Sequence, residues 1–113
     1  MITYRSEQKT EYREHMRDGA GTVELTALSG QLPANARLFT EIRLHPGMSI
    51  GYHVHKGETE MFYFVSGKGR VKDDDREFDI QAGDCMATPS GHGHAVACTG
   101  DEDLVFVAVI VLD

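Results

Sequence analysis

Between residues 37 and 112 apolar and polar side chains alternate in short runs, the period of a strand with one buried face. Such runs occupy Arg37 to His45, Tyr52 to His55, Glu60 to Ser66, Gly69 to Lys72, Glu77 to Gln81, Cys85 to Thr88, His94 to Cys98 and Leu104 to Leu112. Turn signals separate them: Pro46-Gly47, Lys56-Gly57, Gly67-Lys68-Gly69, Asp73-Asp74-Asp75, Ala82-Gly83-Asp84, Pro89-Ser90-Gly91 and Thr99-Gly100-Asp101. Short strands at that rhythm predict an all-β sandwich or barrel. Val105 to Val111 departs from the alternation because it is apolar throughout. It reads as a strand buried on both faces, one towards the interior and one towards a partner subunit. Glu11 to Arg17 is the one stretch that could form a helical turn, stopped by Gly19 and Gly21. Residues 1–36 otherwise read as an N-terminal arm with strands. The 113 residues make a single domain with no repeat and no linker.

Composition excludes several functions. A net charge of −7, from 18 acidic and 11 basic residues, leaves no electrostatic footprint for nucleic acid or an anionic membrane. Met1 to His15 lacks the apolar run of a secretory signal, and Leu104 to Leu112 is too short to cross a bilayer as a helix. Cys85 and Cys98 read as reduced thiols of a cytoplasmic protein. If Pro89 to Gly93 were a hairpin turn pairing residue 88 with 94 and 84 with 98, the two thiols would point to opposite faces. No disulfide is expected.

Chemistry concentrates in His53-Val54-His55, Glu60 and His94. Histidines at i and i+2 project from one face of a strand, ~6–7 Å apart, which suits adjacent vertices of one metal site. A hairpin at Lys56 to Thr59 would set residue 60 opposite 55 and residue 62 opposite 53, returning Glu60 to the histidine face. Phe62 and Phe64 share that parity and could line a pocket, whereas Tyr63 should face away. His15 and His45 read as exposed residues without partners, and Asp73-Asp74-Asp75 as a solvated hairpin tip, since calcium-loop spacing is missing.

These residues sit in a wider frame. Gly47, His53, His55, Glu60 and Gly67 match the pattern G(x)5HxH(x)3-4E(x)6G, and Gly83, Pro89, Gly91 and His94 match G(x)5PxG(x)2H(x)3N, with Cys98 in place of the final Asn. The two blocks resemble the paired motifs of the cupin superfamily. Arg37-Leu38-Phe39, Gly51-Tyr52-His53 and Thr99-Gly100-Asp101-Glu102 also look like small single-domain bacterial cupins. The resemblance implies a double-stranded β-helix, a jelly-roll barrel over about residues 37–112. It implies metal ligation by His53, His55, Glu60 and His94, with turns at Gly47, Gly67, Gly83, Pro89 and Gly91. Cys98 puts in doubt only the hydrogen bond an asparagine would have made there. Met86, Thr88, Val96 and Cys98 join Phe62 and Phe64 as candidate pocket residues. His92 is read as a rim residue rather than a fifth ligand.

Three imidazoles and a carboxylate suit one divalent Fe, Mn, Ni, Co or Zn ion. An octahedral centre would keep two adjacent positions open, whereas a tetrahedral zinc would be closed and structural. Two functions therefore stay open. One is a metal-dependent dioxygenase, isomerase or decarboxylase acting on a small oxygen-rich metabolite such as an organic acid, a diketone or a sugar acid. The other is a non-catalytic module that binds a small molecule or a metal. No second carboxylate, lysine or triad stands out as a general base; Glu58 and His92 are loop residues at best. The apolar closing strand and the resemblance point to a homodimer.

Overall fold

Ten strands and two short 3-10 turns make up the computed structural model, which describes all 113 residues. The strands are β1 (Thr10–Glu14), β2 (Thr22–Ala27), β3 (Ala36–Leu44), β4 (Ser49–Val54), β5 (Glu58–Ser66), β6 (Lys68–Asp73), β7 (Arg76–Gln81), β8 (Cys85–Thr88), β9 (Gly93–Cys98) and β10 (Leu104–Leu112). The turns are Arg5–Glu7 and Met16–Asp18. A six-stranded sheet runs β1-β2-β3-β10-β5-β8, and a four-stranded sheet runs β4-β9-β6-β7. Every pairing is antiparallel. The two sheets close on each other as a jelly roll, and no helix is long and apolar enough to cross a membrane.

The core forms where the two inner faces meet. Leu25, Ile42, Leu44, Phe62, Phe64, Phe106 and Ala108 come from the larger sheet, and Ile50, Val71, Val96 and Cys98 from the smaller. Each fully buried aliphatic or aromatic side chain contributes roughly 1.5–3 kcal/mol relative to exposure. Phe106 lies at the centre, with ring centroids 4.7 Å from Phe62 and 5.3 Å from Phe64. Strand β10 is buried on both faces over Leu104 to Phe106. Beyond that it alternates, with Val107 and Val109 half-buried and Val111 exposed on the outer face. The full two-sided burial expected from its composition is therefore limited to its first turn of pleat.

Two hairpins expected from the sequence are absent. β4 pairs with β9, while β5 lies between β10 and β8, so Lys56-Gly57 carries the chain from one sheet to the other. The loop after Thr88 crosses in the same way, from β8 to β9. These two crossings run side by side and bond to each other. The His55 N–H donates to His92 O at 3.1 Å, the Gly91 N–H to His55 O at 2.7 Å, and the Gly57 N–H to the Ser90 hydroxyl at 2.9 Å. Cys85 is exposed on β8 and Cys98 buried on β9, both free, so the absence of a disulfide holds although the hairpin behind it does not.

The N-terminal arm also differs from its reading. The expected helical turn at Glu11 to Arg17 is strand β1 followed by the Met16–Asp18 turn. Pairing of Thr10 to Glu14 with Thr26 to Thr22 of β2 supplies backbone partners that so short a helix could not provide internally. At the other side, His45 is not without partners. It lies 2.7 Å from Asp103 and 2.6 Å from Glu24, and the Asp103 hydrogen bond chiefly raises its pKa. Asp73-Asp74-Asp75 is the β6–β7 turn, as its composition predicts.

Candidate metal centre

Three segments from both sheets deliver the four donors. β4 and the residue after it carry His53 and His55; β9 carries His94, which pairs directly across from His53. Glu60 comes from β5 of the opposite sheet. Simple alternation along β4 would put Ile50 and His53 on opposite faces. A bulge corrects this: Ile50 opposes Val96 and His53 opposes His94, so Gly51 and Tyr52 together face Ala95 alone. Ile50 thereby stays in the core while His53 and His55 also turn inward. A second bulge acts on β3. Leu38 opposes Ile110 and Ala36 opposes Val111, which leaves Arg37 unpaired, still partly exposed and lining the cavity.

The donor atoms converge. His55 Nε2 lies 3.1 Å from His94 Nε2, which lies 3.2 Å from His53 Nε2. Glu60 Oε1 is 2.9 Å from His55 Nε2 and 3.0 Å from His94 Nε2. All four donors fall within 4.8 Å of one another, with His55, Glu60 and His94 buried. The face of Phe62 stacks on His94 at 4.9 Å between centroids.

Proton bookkeeping tests whether a cation fits. The His53 Nδ1–H donates to Gly51 O at 2.8 Å, and the His55 Nδ1–H to the Glu58 carboxylate at 2.7 Å. Both acceptors lack protons, so both Nε2 atoms are bare lone pairs in the neutral rings. His94 Nδ1 is held 2.7 Å from the Thr88 hydroxyl. At least two bare nitrogens and a carboxylate oxygen therefore point at one spot, an arrangement suited to a cation between them. Geometry agrees. At a metal–ligand distance of about 2.1 Å, neighbouring octahedral donors lie about 3.0 Å apart and tetrahedral ones about 3.4 Å. The observed contacts of 2.9–3.2 Å match the octahedral edge. The four residues could hold a six-coordinate divalent ion and leave two positions for a ligand.

Glu58 stands behind this set. Arg37 grips its carboxylate through Nε at 2.8 Å and Nη2 at 2.7 Å, and the same carboxylate receives His55. The Arg37 hydrogen bond chiefly holds its pKa down, at about 2 against an ordinary 4.5. Glu58 is thus no loose loop residue: it fixes the His55 tautomer and stays ionised. The stability from this pairing is complete above pH about 4.5 and is lost as pH falls towards 2. Burial chiefly pushes the His53 pKa down, which favours its neutral, metal-binding form. Replacing Glu58 with Ala should weaken metal binding by about 10- to 100-fold, because a ligand that loses its orienting partner binds that much worse. A chelator competition measures it, and an unchanged affinity would remove Glu58 from the site.

A small cavity of about 100 Å³ opens onto the donors. Phe62 and Val96 line it, as do Arg13, Arg17 and Arg37. Of the other candidates, Phe64 and Met86 lie in the core, and Thr88 braces His94 without lining the cavity. Cys98 points into the interior but bonds Glu102 O at 3.2 Å and is not part of the lining. His92 sits outside the cavity, 2.5 Å from Asp74. The three arginines escape sequence reasoning because two come from the arm and its turn and one from a bulge.

A model of the cupin domain matches residues 40–110. The chain belongs to the cupin family. This cupin is 40% identical to the oxalate-binding protein of Thermotoga maritima over 114 aligned residues, 99% of the chain and 94% of that protein. It is 36% identical over 73 residues to the oxalate decarboxylase of Bacillus subtilis, covering 60% of the chain but only 19% of that enzyme. The crystal structure of a predicted oxalate decarboxylase from Thermotoga maritima superposes with a TM-score of 0.93 at 40% identity, covering both chains completely. KdgF from Halomonas, at 13% identity and a TM-score of 0.78 over 100% of this cupin and 96% of that chain, shares the fold.

Proposed function

We propose that this cupin binds one divalent first-row metal through His53, His55, Glu60 and His94, and holds on it a small carboxylate of the oxalate class. The observation that carries the reading is the convergence of the four donors at the base of a small cavity. Size supports it: about 100 Å³ accommodates roughly seven to ten water-sized positions, enough for a few heavy atoms but not for a large substrate. Charge supports it too, since three arginines and one glutamate line the cavity. The 40% identical relative is named for binding oxalate.

Binding without turnover fits the lining better than decarboxylation. Loss of carbon dioxide from a carboxylate leaves negative charge on carbon, which must then receive a proton. Glu60, spent as a ligand, is the only carboxylate in the lining, and no lysine accompanies it. Glu58 is held as an ion by Arg37, and His92 is turned towards Asp74. Loaded with Mn(II), the protein should retain oxalate in a calorimetric titration at one per chain and consume none. Measurable oxalate loss would replace the binding reading with an enzymatic one, and no binding in the presence of bound metal would end the assignment.

The outer face of the larger sheet supports a homodimer. Phe39, Val109, Met61 and Ala87 lie in one cross-strand row, and Val107 and Tyr63 in the next. Phe39, Met61 and Tyr63 are exposed, and a broad apolar patch of this kind is uncommon on a monomer. The charges at its rim are neutralised within the chain, Glu41 by Arg5 and Arg43 by Asp103. The patch thus offers nothing to a charged partner and suits a second copy related by a two-fold axis. Light scattering at micromolar concentration should give the mass of two chains, and Tyr63→Lys should halve it; a wild-type monomer overturns the pairing.

A further inference from the structure

The three cavity arginines are not equivalent. Arg37 is committed to Glu58, and Arg13 reaches Glu11 at 2.8 Å on the surface. Arg17 makes no ion pair and no side-chain hydrogen bond, yet lines the cavity with the four donors. An unpartnered guanidinium beside a metal site is an anion receptor, since its planar fork matches the two oxygens of a carboxylate.

The turn that carries Arg17 is unusual. Its backbone has φ 55° and ψ 36°, a left-handed conformation that disfavours most side chains, and His15 and Asp18 beside it are also left-handed. The turn is stitched to β4. The Ser49 N–H donates to Ala20 O and the Ala20 N–H to the Ser49 hydroxyl, both at 2.9 Å. A Cβ on Gly51 would come within 1.9 Å of Arg17 O, so the turn can lie this close only over glycine. Gly51 is also the bulge residue whose carbonyl receives His53. One short stretch of β4 therefore sets both the metal donor and the cation beside it. Strained backbone held by surrounding contacts is a recurrent property of ligand clamps.

We propose that Arg17 is the specificity-determining residue of the cavity: its guanidinium takes the carboxylate oxygens turned away from the metal and so selects small dicarboxylates over monocarboxylates. This rests on the metal-and-carboxylate reading of the same site. Arg17 sits on the arm and belongs to neither histidine motif, so chains with the same donor set and a different arm would lack this selectivity.

The test compares oxalate with acetate on Mn(II)-loaded protein by calorimetry. Arg17→Asn is the main variant, because asparagine tolerates left-handed backbone. It should keep the wild-type metal content and melting temperature, lose at least tenfold in oxalate affinity, and leave acetate affinity within twofold. Arg17→Lys should recover part of the loss. Equal losses for acetate and oxalate would reduce Arg17 to general attraction and overturn the proposal. Unchanged oxalate affinity in Arg17→Asn would overturn it as well, while leaving the metal site standing. Absence of oxalate binding by the wild-type protein would instead overturn the underlying reading.

Discussion

Substituting Gln for Glu60 should remove stoichiometric metal from the protein, with an affinity loss well beyond the about 10- to 100-fold that follows from losing an orienting partner. Glu60 Oε1 is the only anionic donor of the set and lies 2.9–3.0 Å from two of the imidazole nitrogens. The amide keeps the shape but gives up the charge that offsets a divalent cation. It could also turn its NH₂ towards the His55 and His94 lone pairs and satisfy them without metal. The variant should therefore fold well while binding nothing, which separates ligation from structure. Metal analysis after dialysis against a weak chelator reads the first, and circular dichroism the second. In the wild-type protein, affinity should fall as pH drops through the imidazole range, because protons and metal compete for the same nitrogens. The burial that depresses His53 moves its own share of that loss to lower pH. A Glu60→Gln variant that still carried one ion per chain would refute the assignment.

Truncating Phe106 to Ala should destabilise the fold by about 3–5 kcal/mol, the usual cost of removing a buried aromatic ring. That is a large share of the roughly 5–15 kcal/mol that holds a domain of this size together. Phe106 is fully buried on the central strand of the larger sheet, against Phe62 and Phe64. The melting temperature should drop by about 10–25 °C. Phe62 rests between Phe106 and His94, so the cavity would also loosen the wall that holds the His94 ring. Saturating metal should return part of the lost stability, since only the folded state presents the four donors together. A loss under about 1 kcal/mol in urea unfolding would mean that the aromatic cluster does not anchor the fold.

The eight strands from Arg37 onward are legible because each needs only local information: alternation of period two, closed by Gly, Pro or Asp at the turns. Parity along one strand is equally readable, and it correctly separates Phe62 and Phe64 from Tyr63. Partners across strands are not. Local pattern favours pairing each strand with the next across a short polar turn, and here Lys56-Gly57 and Pro89 to His92 instead pass between sheets. The four candidate donors nevertheless meet, by a different route from the expected hairpin. β1 resembles a helical turn in sequence because exposed charged residues at an edge carry neither alternation nor an apolar stripe.

What the amino-acid order determined by itself is the donor chemistry and the positions of the turns, since residue type and spacing are local properties. Glycine at 47, 67, 83 and 91 marks places where φ is positive in the folded chain, and His53, His55, Glu60 and His94 carry the lone pairs. Tertiary structure alone decided how those lone pairs are aimed and what surrounds them. The bulge at Gly51-Tyr52 turns His53 inward, the bulge at Arg37 brings a cation to Glu58, and the arm lays Arg17 over β4. The physical reason is that register, bulges and crossings are set by backbone hydrogen bonds between segments far apart in the chain, and no single segment holds both halves of such a bond.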